Sequence, residues 1–130
     1  MRWAALALAA GPVWADGTAA PDYFVAAAFA SSTAQAVARS CPDLSVDPVV
    51  AARETEAVLA RLEADGFTPE TIATEMADPT QAIAALQDGF RARHDLADGA
   101  PPAAVCAAGR AEIAGGTDVG RMLIDLGGDG

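Results

Sequence analysis

The chain has 130 residues, enough for one domain at most, and carries 18 Asp and Glu against 8 Lys and Arg, a formal net charge of −10 at pH 7. This acidity argues against nucleic acid and anionic membranes as partners, because phosphate binding requires a basic face. All eight cationic residues are arginines, so lysine Schiff-base chemistry is excluded.

Residues 1–15 have the layout of a secretory signal peptide. Arg2 supplies a positive end, Trp3 to Ala10 form a short apolar run, and Val13-Trp14-Ala15 loosely fits the small-x-small cleavage rule. The run is shorter than the roughly 20 apolar residues that a membrane span needs. We therefore expect export, cleavage after Ala15, a periplasmic or secreted product, and no membrane contact after cleavage. The cleaved chain would hold 7 Arg against 18 Asp and Glu, a balance of −11.

Proline and capping signals, together with apolar residues at helical spacing, predict six helices in chain order. They cover 23–40, 48–64, a short segment after Thr68-Pro69, 79–97, 102–114, and a last segment capped by Thr117. The inner faces of these helices are expected to include Leu59, Leu86 and Leu126.

No window alternates apolar and polar residues with β-branched enrichment, so no sheet is expected. The fold class predicted is all-α, a small bundle of five to six short helices stapled by one disulfide. It occupies residues 22–126, between a flexible leader at 16–21 and a flexible tail at 127–130.

The disulfide is predicted from the two cysteines, Cys41 and Cys106, an even pair in a chain that is expected to be exported. The closed loop holds about 65 residues, for which the chain-entropy model gives roughly 4 kcal/mol of stabilisation. The spacing matches no zinc motif, and neither C-x-x-C nor C-x-x-C-H occurs. We therefore expect a structural disulfide, no metal site and no cofactor.

His94 is the sole histidine, and with Asp95 and Asp98 it offers an acid/base or metal-binding group. It follows Phe90 by four residues, which places it on or beside the apolar stripe and favours a partly buried structural histidine. The glycine-rich segment 115–120 lacks the G-x-G-x-x-G pattern and the lysine of a phosphate loop. It is interpreted as a helix stop followed by a new cap, and no catalytic residue is assigned.

Arg110 and Glu112 lie in an otherwise apolar, alanine-rich helix next to Cys106. They are a candidate polar interaction spot. The structural interpretation, which we favour, has Arg110 bonding carbonyls at a helix end and Glu112 pairing with another helix, because half-buried charges are normally paired.

The segment from Cys106 to Leu123 resembles the C-terminal signature of the DUF5333 family, small exported alphaproteobacterial proteins of unknown function. The matching positions are Cys106, Gly109, Arg110, Glu112, Ile113, Gly116, Thr117, Gly120 and Leu123. The resemblance implies export, a helical fold and a disulfide. It supplies no catalytic residue.

We therefore expect a non-enzymatic binding or interaction module, monomeric or weakly associating, whose protein partner is unknown. One alternative is an acid-stress periplasmic holdase chaperone, because protonating the carboxylates would swing the charge after cleavage from about −11 to about +7. The other alternative is an enzyme that uses His94 with nearby carboxylates.

Overall fold

Several helices begin where the sequence supplies a side-chain oxygen for the first free backbone N–H groups. The Asp47 carboxylate accepts hydrogen bonds from the N–H groups of Val49 at 2.9 Å and Val50 at 3.2 Å, at the start of the second helix. Thr117 caps the last helix in the same way, through the N–H of Gly120 at 3.0 Å. Local sequence thus determines these two helix starts.

The computed structural model describes residues 17–127, which form six α-helices and two short strands. In chain order these are α1 (Asp22–Ser40), β1 (Leu44–Val46), α2 (Pro48–Ala64), α3 (Pro69–Thr74), α4 (Thr80–Arg93), α5 (Pro102–Gly115), α6 (Asp118–Arg121) and β2 (Leu123–Asp125). The helical fold class is confirmed. The predicted signal peptide at 1–15 lies outside the described residues, as do residue 16 of the leader and residues 128–130 of the tail. None of the helices within 17–127 is long and apolar enough to cross a membrane.

The central element is α1, which contacts α2, β1, α4, α5 and α6. Its buried positions include Ala30, Ala34 and Val37, whose small side chains let neighbouring elements approach closely. Phe29 extends the contact to α4, where its ring meets that of Phe90 edge-on with the centroids 6.5 Å apart. The core is therefore arranged around one alanine-rich helix.

The predicted disulfide between Cys41 and Cys106 is confirmed, with an S–S distance of 2.02 Å and a Cα–Cα distance of 5.2 Å. Cys41 directly follows the last residue of α1, and Cys106 lies in the second turn of α5. Both side chains are buried in the core. The bond joins the end of the central helix to a helix 65 positions later.

The expectation that the chain contains no sheet is wrong. β1 and β2 pair antiparallel, with Leu44 opposite Asp125, Ser45 opposite Ile124 and Val46 opposite Leu123. Strands of three residues are too short to show a recognisable alternation in the sequence. Such a two-stranded pair is marginal alone, and here β1 packs on α1 while β2 packs on α5.

Three leucines expected on inner helix faces are exposed: Leu59 at 55%, Leu86 at 41% and Leu126 at 64%. α2 packs mainly on α1, so only a narrow strip of α2, which contains the fully buried Leu62, faces the core. Leu126 lies beyond β2 because α6 ends at Arg121 instead of continuing as a longer helix. A periodic apolar pattern therefore overestimates how much of each helix is covered.

The fourth helix is also shorter than predicted. α4 ends at Arg93 instead of Ala97, and His94 is the residue that follows its last turn. Asp95 adopts a left-handed backbone with φ of 55°, a conformation that ends a helix and that Asp tolerates better than most residues.

Candidate functional site

Arg110 and Glu112, the candidate polar interaction spot, lie in two different environments in the structure. The two residues are two positions apart on α5, about 200° around a helix, so they face different sides of it. Arg110 is exposed, whereas Glu112 is buried with 4% of its surface accessible. They do not form one contiguous surface.

Arg110 is engaged by two carboxylates at the edge of the sheet. Its Nε donates to Asp125 Oδ2 at 2.9 Å, and its Nη2 donates to Asp43 Oδ2 at 3.1 Å. The bonds to Asp125 and then to Asp43 raise the pKa of the guanidinium. The bond from Arg110, with a further one from the N–H of Gly127, lowers the pKa of Asp125. Arg110 thus ties α5 to one end of the β1–β2 pair, where β1 begins and β2 ends, instead of bonding helix-end carbonyls as the sequence suggested.

Glu112 is the centre of a buried polar cluster that joins α5 to α4 and to the start of α6. Its Oε1 accepts a hydrogen bond from Thr117 Oγ1 at 2.6 Å, and its Oε2 lies 2.6 Å from His94 Nε2 and 3.4 Å from Arg93 Nη2. Burial acts to raise the pKa of this carboxyl, but the bonds from Thr117, His94 and Arg93 outweigh it and lower the pKa below its ordinary value. Glu112 therefore pairs with another helix, as the structural interpretation expected.

His94 is largely buried, with 15% of its side chain accessible, and its ring lies 4.8 Å from that of Phe90. The geometry does not resemble a catalytic triad, in which the nucleophile contacts the histidine and the acid lies behind it. Here the hydroxyl of Thr117 bonds the carboxylate of Glu112, and the carboxylate lies between hydroxyl and imidazole. The three residues form a hydrogen-bonded network. Neither Asp95 nor Asp98, expected beside the histidine, is among its bonded partners within 17–127. No three His, Cys, Asp or Glu side chains in that range are grouped so that they could hold a metal ion.

A groove of about 430 Å³ lies between α1, α4 and the loop that leads to α5, and is here called the α1–α4 groove. Its lining includes Thr33, Val37, Arg39, Phe90, Leu96 and Asp98. Val37 and Phe90 are buried residues of the core, so the groove reaches the core surface. At one side, Gln87 Nε2 donates to Ser32 Oγ at 3.0 Å.

A smaller groove of about 260 Å³ lies along the first half of α1, facing α2 and α6. Tyr23 and Arg61 line it, with the guanidinium carbon 4.1 Å from the ring centroid. The Tyr23 hydroxyl donates to Asp65 at 2.7 Å. The side chains of Tyr23 and Arg61 are therefore already engaged with neighbouring residues.

Sequence reasoning missed both grooves. The only local signal was Ser31-Ser32-Thr33, a polar triplet in the middle of an otherwise alanine-rich helix. Two of its members face α4 and the α1–α4 groove, but the sequence alone does not show which elements flank them.

Comparison with known proteins places the chain in a family. The family model described as "Family of unknown function (DUF5333)" matches residues 18–124. Comparisons with curated proteins and with solved structures found no match. The matched range covers most of the chain and contains both cysteines, the Glu112 cluster, β1 and the first two residues of β2. This protein therefore belongs to the DUF5333 family of unknown function.

Proposed function

We propose that this protein is an exported, non-catalytic binding module. The observation that carries the proposal is the α1–α4 groove, an open space of about 430 Å³ lined by both apolar and polar side chains, within the range of roughly 300–1,000 Å³ typical of small-molecule sites. His94 and Glu112, the side chains best suited to acid/base chemistry, are hydrogen-bonded to each other and do not line this groove.

Export is supported by two features. Residues 1–15 have the layout of a signal peptide, and the Cys41–Cys106 disulfide is the kind of bond that persists in oxidising compartments. Both tryptophans, Trp3 and Trp14, precede the proposed cleavage site. Intact mass and fluorescence of protein recovered from the periplasm test this. We expect a chain that begins at residue 16 and has no tryptophan emission, whereas a retained tryptophan signal would contradict cleavage after Ala15.

The binding role is tested by NMR on the disulfide-bonded protein. Isotope-labelled protein is titrated with the small-molecule fraction of a periplasmic extract, and its backbone amides are followed. We expect shifts clustered along α1, α4 and the loop between α4 and α5, with the bound compound recovered unchanged. A turnover reaction that is lost in His94→Gln would instead establish the enzyme alternative. Sedimentation of the same sample checks the expected monomer or weak oligomer.

An acid-stress holdase is the second candidate, and the Glu112 cluster is the observation that favours it. The folded-state pKa of Glu112 is lowered from its ordinary value of 4.5. The unfolded chain therefore takes up this proton at a higher pH than the folded chain does. The stabilisation of the fold by the ionised Glu112 is complete above pH 4.5 and is lost as the pH falls through the lowered folded-state pKa of Glu112. Protonation would then release α4 from α5 while the net charge becomes strongly positive.

The holdase hypothesis predicts acid-induced exposure of apolar surface. Near pH 3, where most carboxylates are protonated, the protein should bind a hydrophobic dye and suppress the aggregation of an unfolded client. Glu112→Gln, which cannot ionise, should show dye binding at a higher pH than the parent protein. A protein that stays closed and inactive in acid would eliminate this function.

A further inference from the structure

We propose that the α1–α4 groove binds a medium-chain carboxylate that carries a second oxygen near its far end, with the carboxylate at Arg39 and the second oxygen at Thr33. This inference rests on the proposed binding function and names the class of ligand.

The first observation is an unpartnered hydroxyl. Thr33 is 5% exposed and lines the groove, yet its Oγ1 has no hydrogen-bond partner among the described residues. Threonines in helices commonly bond the carbonyl four positions back, as Thr55 does with Ala51 at 2.9 Å. The corresponding carbonyl for Thr33, that of Phe29, accepts the hydroxyl of Ser32 instead.

A buried hydroxyl without a partner destabilises the folded protein, so a ligand oxygen that reaches it gains a hydrogen bond that the free protein lacks. The Thr33 oxygen is sealed from water. A ligand must therefore displace part of the groove wall to reach it. One wall is the loop between α4 and α5, where Asp95 and Gly99 hold left-handed backbone conformations.

The second observation is charge at the groove rim. Arg39 makes no ion pair among residues 17–127, whereas the neighbouring Arg91 is paired with Asp88 at 2.6 Å. Asp98 also lines the groove, on the loop side. The planar guanidinium of arginine suits a carboxylate, which it can bind through two parallel hydrogen bonds. An anionic head group is therefore attracted to Arg39 and repelled by Asp98.

The third observation is the apolar surface that lies between Thr33 and Arg39. Thr33 and Arg39 are six residues apart on α1, about 9 Å along the helix axis. Val37 lies between them, and Phe90 and Leu96 add apolar surface from across the groove. A chain of methylene groups with an oxygen at each end matches this pattern of polar, apolar and polar contacts.

Calorimetry with matched probe pairs tests the proposal on the oxidised protein. The probes are hexanoate, octanoate and decanoate, each compared with the same acid bearing a terminal hydroxyl. For the chain of matching length, the hydroxyl should tighten binding about tenfold, the effect of one well-made buried hydrogen bond. Thr33→Val should abolish that difference while it raises the thermal stability of the free protein.

Charge variants test the head group. Arg39→Gln should weaken all three carboxylates about tenfold, and Asp98→Asn should leave them unchanged or tighter. Arg53→Gln is the matched control, because Arg53 also lacks an ion pair within 17–127 but lies on α2, outside the groove. Circular dichroism of each variant confirms that it folds.

The inference is wrong if Thr33→Val preserves the preference for the hydroxylated probe, or if Arg39→Gln behaves like Arg53→Gln. It is also wrong if no probe binds at millimolar concentration while the periplasmic fraction still shifts groove amides, in which case the proposed function survives. If neither the probes nor the fraction perturbs the groove, both the inference and the proposed function fail.

Discussion

Glu112 shows how one buried carboxylate connects three segments of this small protein. It accepts from Thr117 at the start of α6 and pairs with His94 and Arg93 at the end of α4. The sequence marked Glu112 as unusual because it is charged within an apolar helix. It did not identify the partners, since Glu112 and His94 are 18 positions apart and only the packing of α4 beside α5 brings them together.

Replacing Glu112 by Gln should lower the free energy of unfolding at neutral pH by about 2 kcal/mol, because charge-assisted hydrogen bonds are lost. The difference should shrink as the pH falls below 4.5 and through the lowered folded pKa of Glu112, where the parent side chain also becomes neutral. Urea unfolding of both proteins across this pH range measures the difference in the free energy of unfolding.

The control for this experiment is Glu56→Gln, on the exposed side of α2, which should change stability little. A deficit of Glu112→Gln that persists undiminished in acid would mean that side-chain shape, and not the carboxylate charge, holds the cluster.

At the scale of elements, two helical glycines have the same low helix propensity but differ in how closely neighbouring atoms pack against them. Gly120 in α6 lies against the backbone of α5, and a Cβ there would overlap the Glu112 carbonyl and the Ile113 nitrogen. Gly89, in the middle of α4, has open space around the same position. Both are weak helix formers, so only their neighbours distinguish them.

Gly89→Ala should therefore raise the free energy of unfolding by about 0.5–1 kcal/mol, through reduced backbone entropy in the unfolded chain. Gly120→Ala should lower it by about 1–3 kcal/mol or more, because α6 must move away from α5. Thermal and urea unfolding of the two variants in parallel provide the comparison. Equal effects of the two substitutions would show that α6 is not held against α5 as described.

The pairing of β1 with β2 also depends on how the elements pack. β1 and β2 form because the disulfide, α1 and α5 hold two short extended segments side by side. Their backbone bonds continue past the strands, where Asp47 N–H donates to the Met122 carbonyl at 2.8 Å and Leu126 N–H to that of Asp43 at 2.7 Å. Nothing in three residues of sequence predicts this pairing.

At the scale of the whole molecule, the disulfide limits how far the unfolded chain can expand. Reducing the bond, which closes a loop spanning 65 positions, should lower the free energy of unfolding by about 4 kcal/mol in the chain-entropy model. Urea unfolding with and without reductant measures this, and hydrogen exchange should show the β1–β2 amides losing protection. An unchanged unfolding midpoint after complete reduction would contradict the assignment of stability to this bond.

The sequence by itself determined the local events: where helices start at Asp47 and Thr117, where α5 stops at Gly116 with its φ of 62°, and that two cysteines would pair. These depend on neighbouring residues and on composition. The tertiary structure alone decided the sheet, the partners of Arg110 and Glu112, the exposure of Leu59, and the groove that contains Thr33. Each of these depends on which surface of one element meets another, and that is set by long-range packing of residues far apart in the chain.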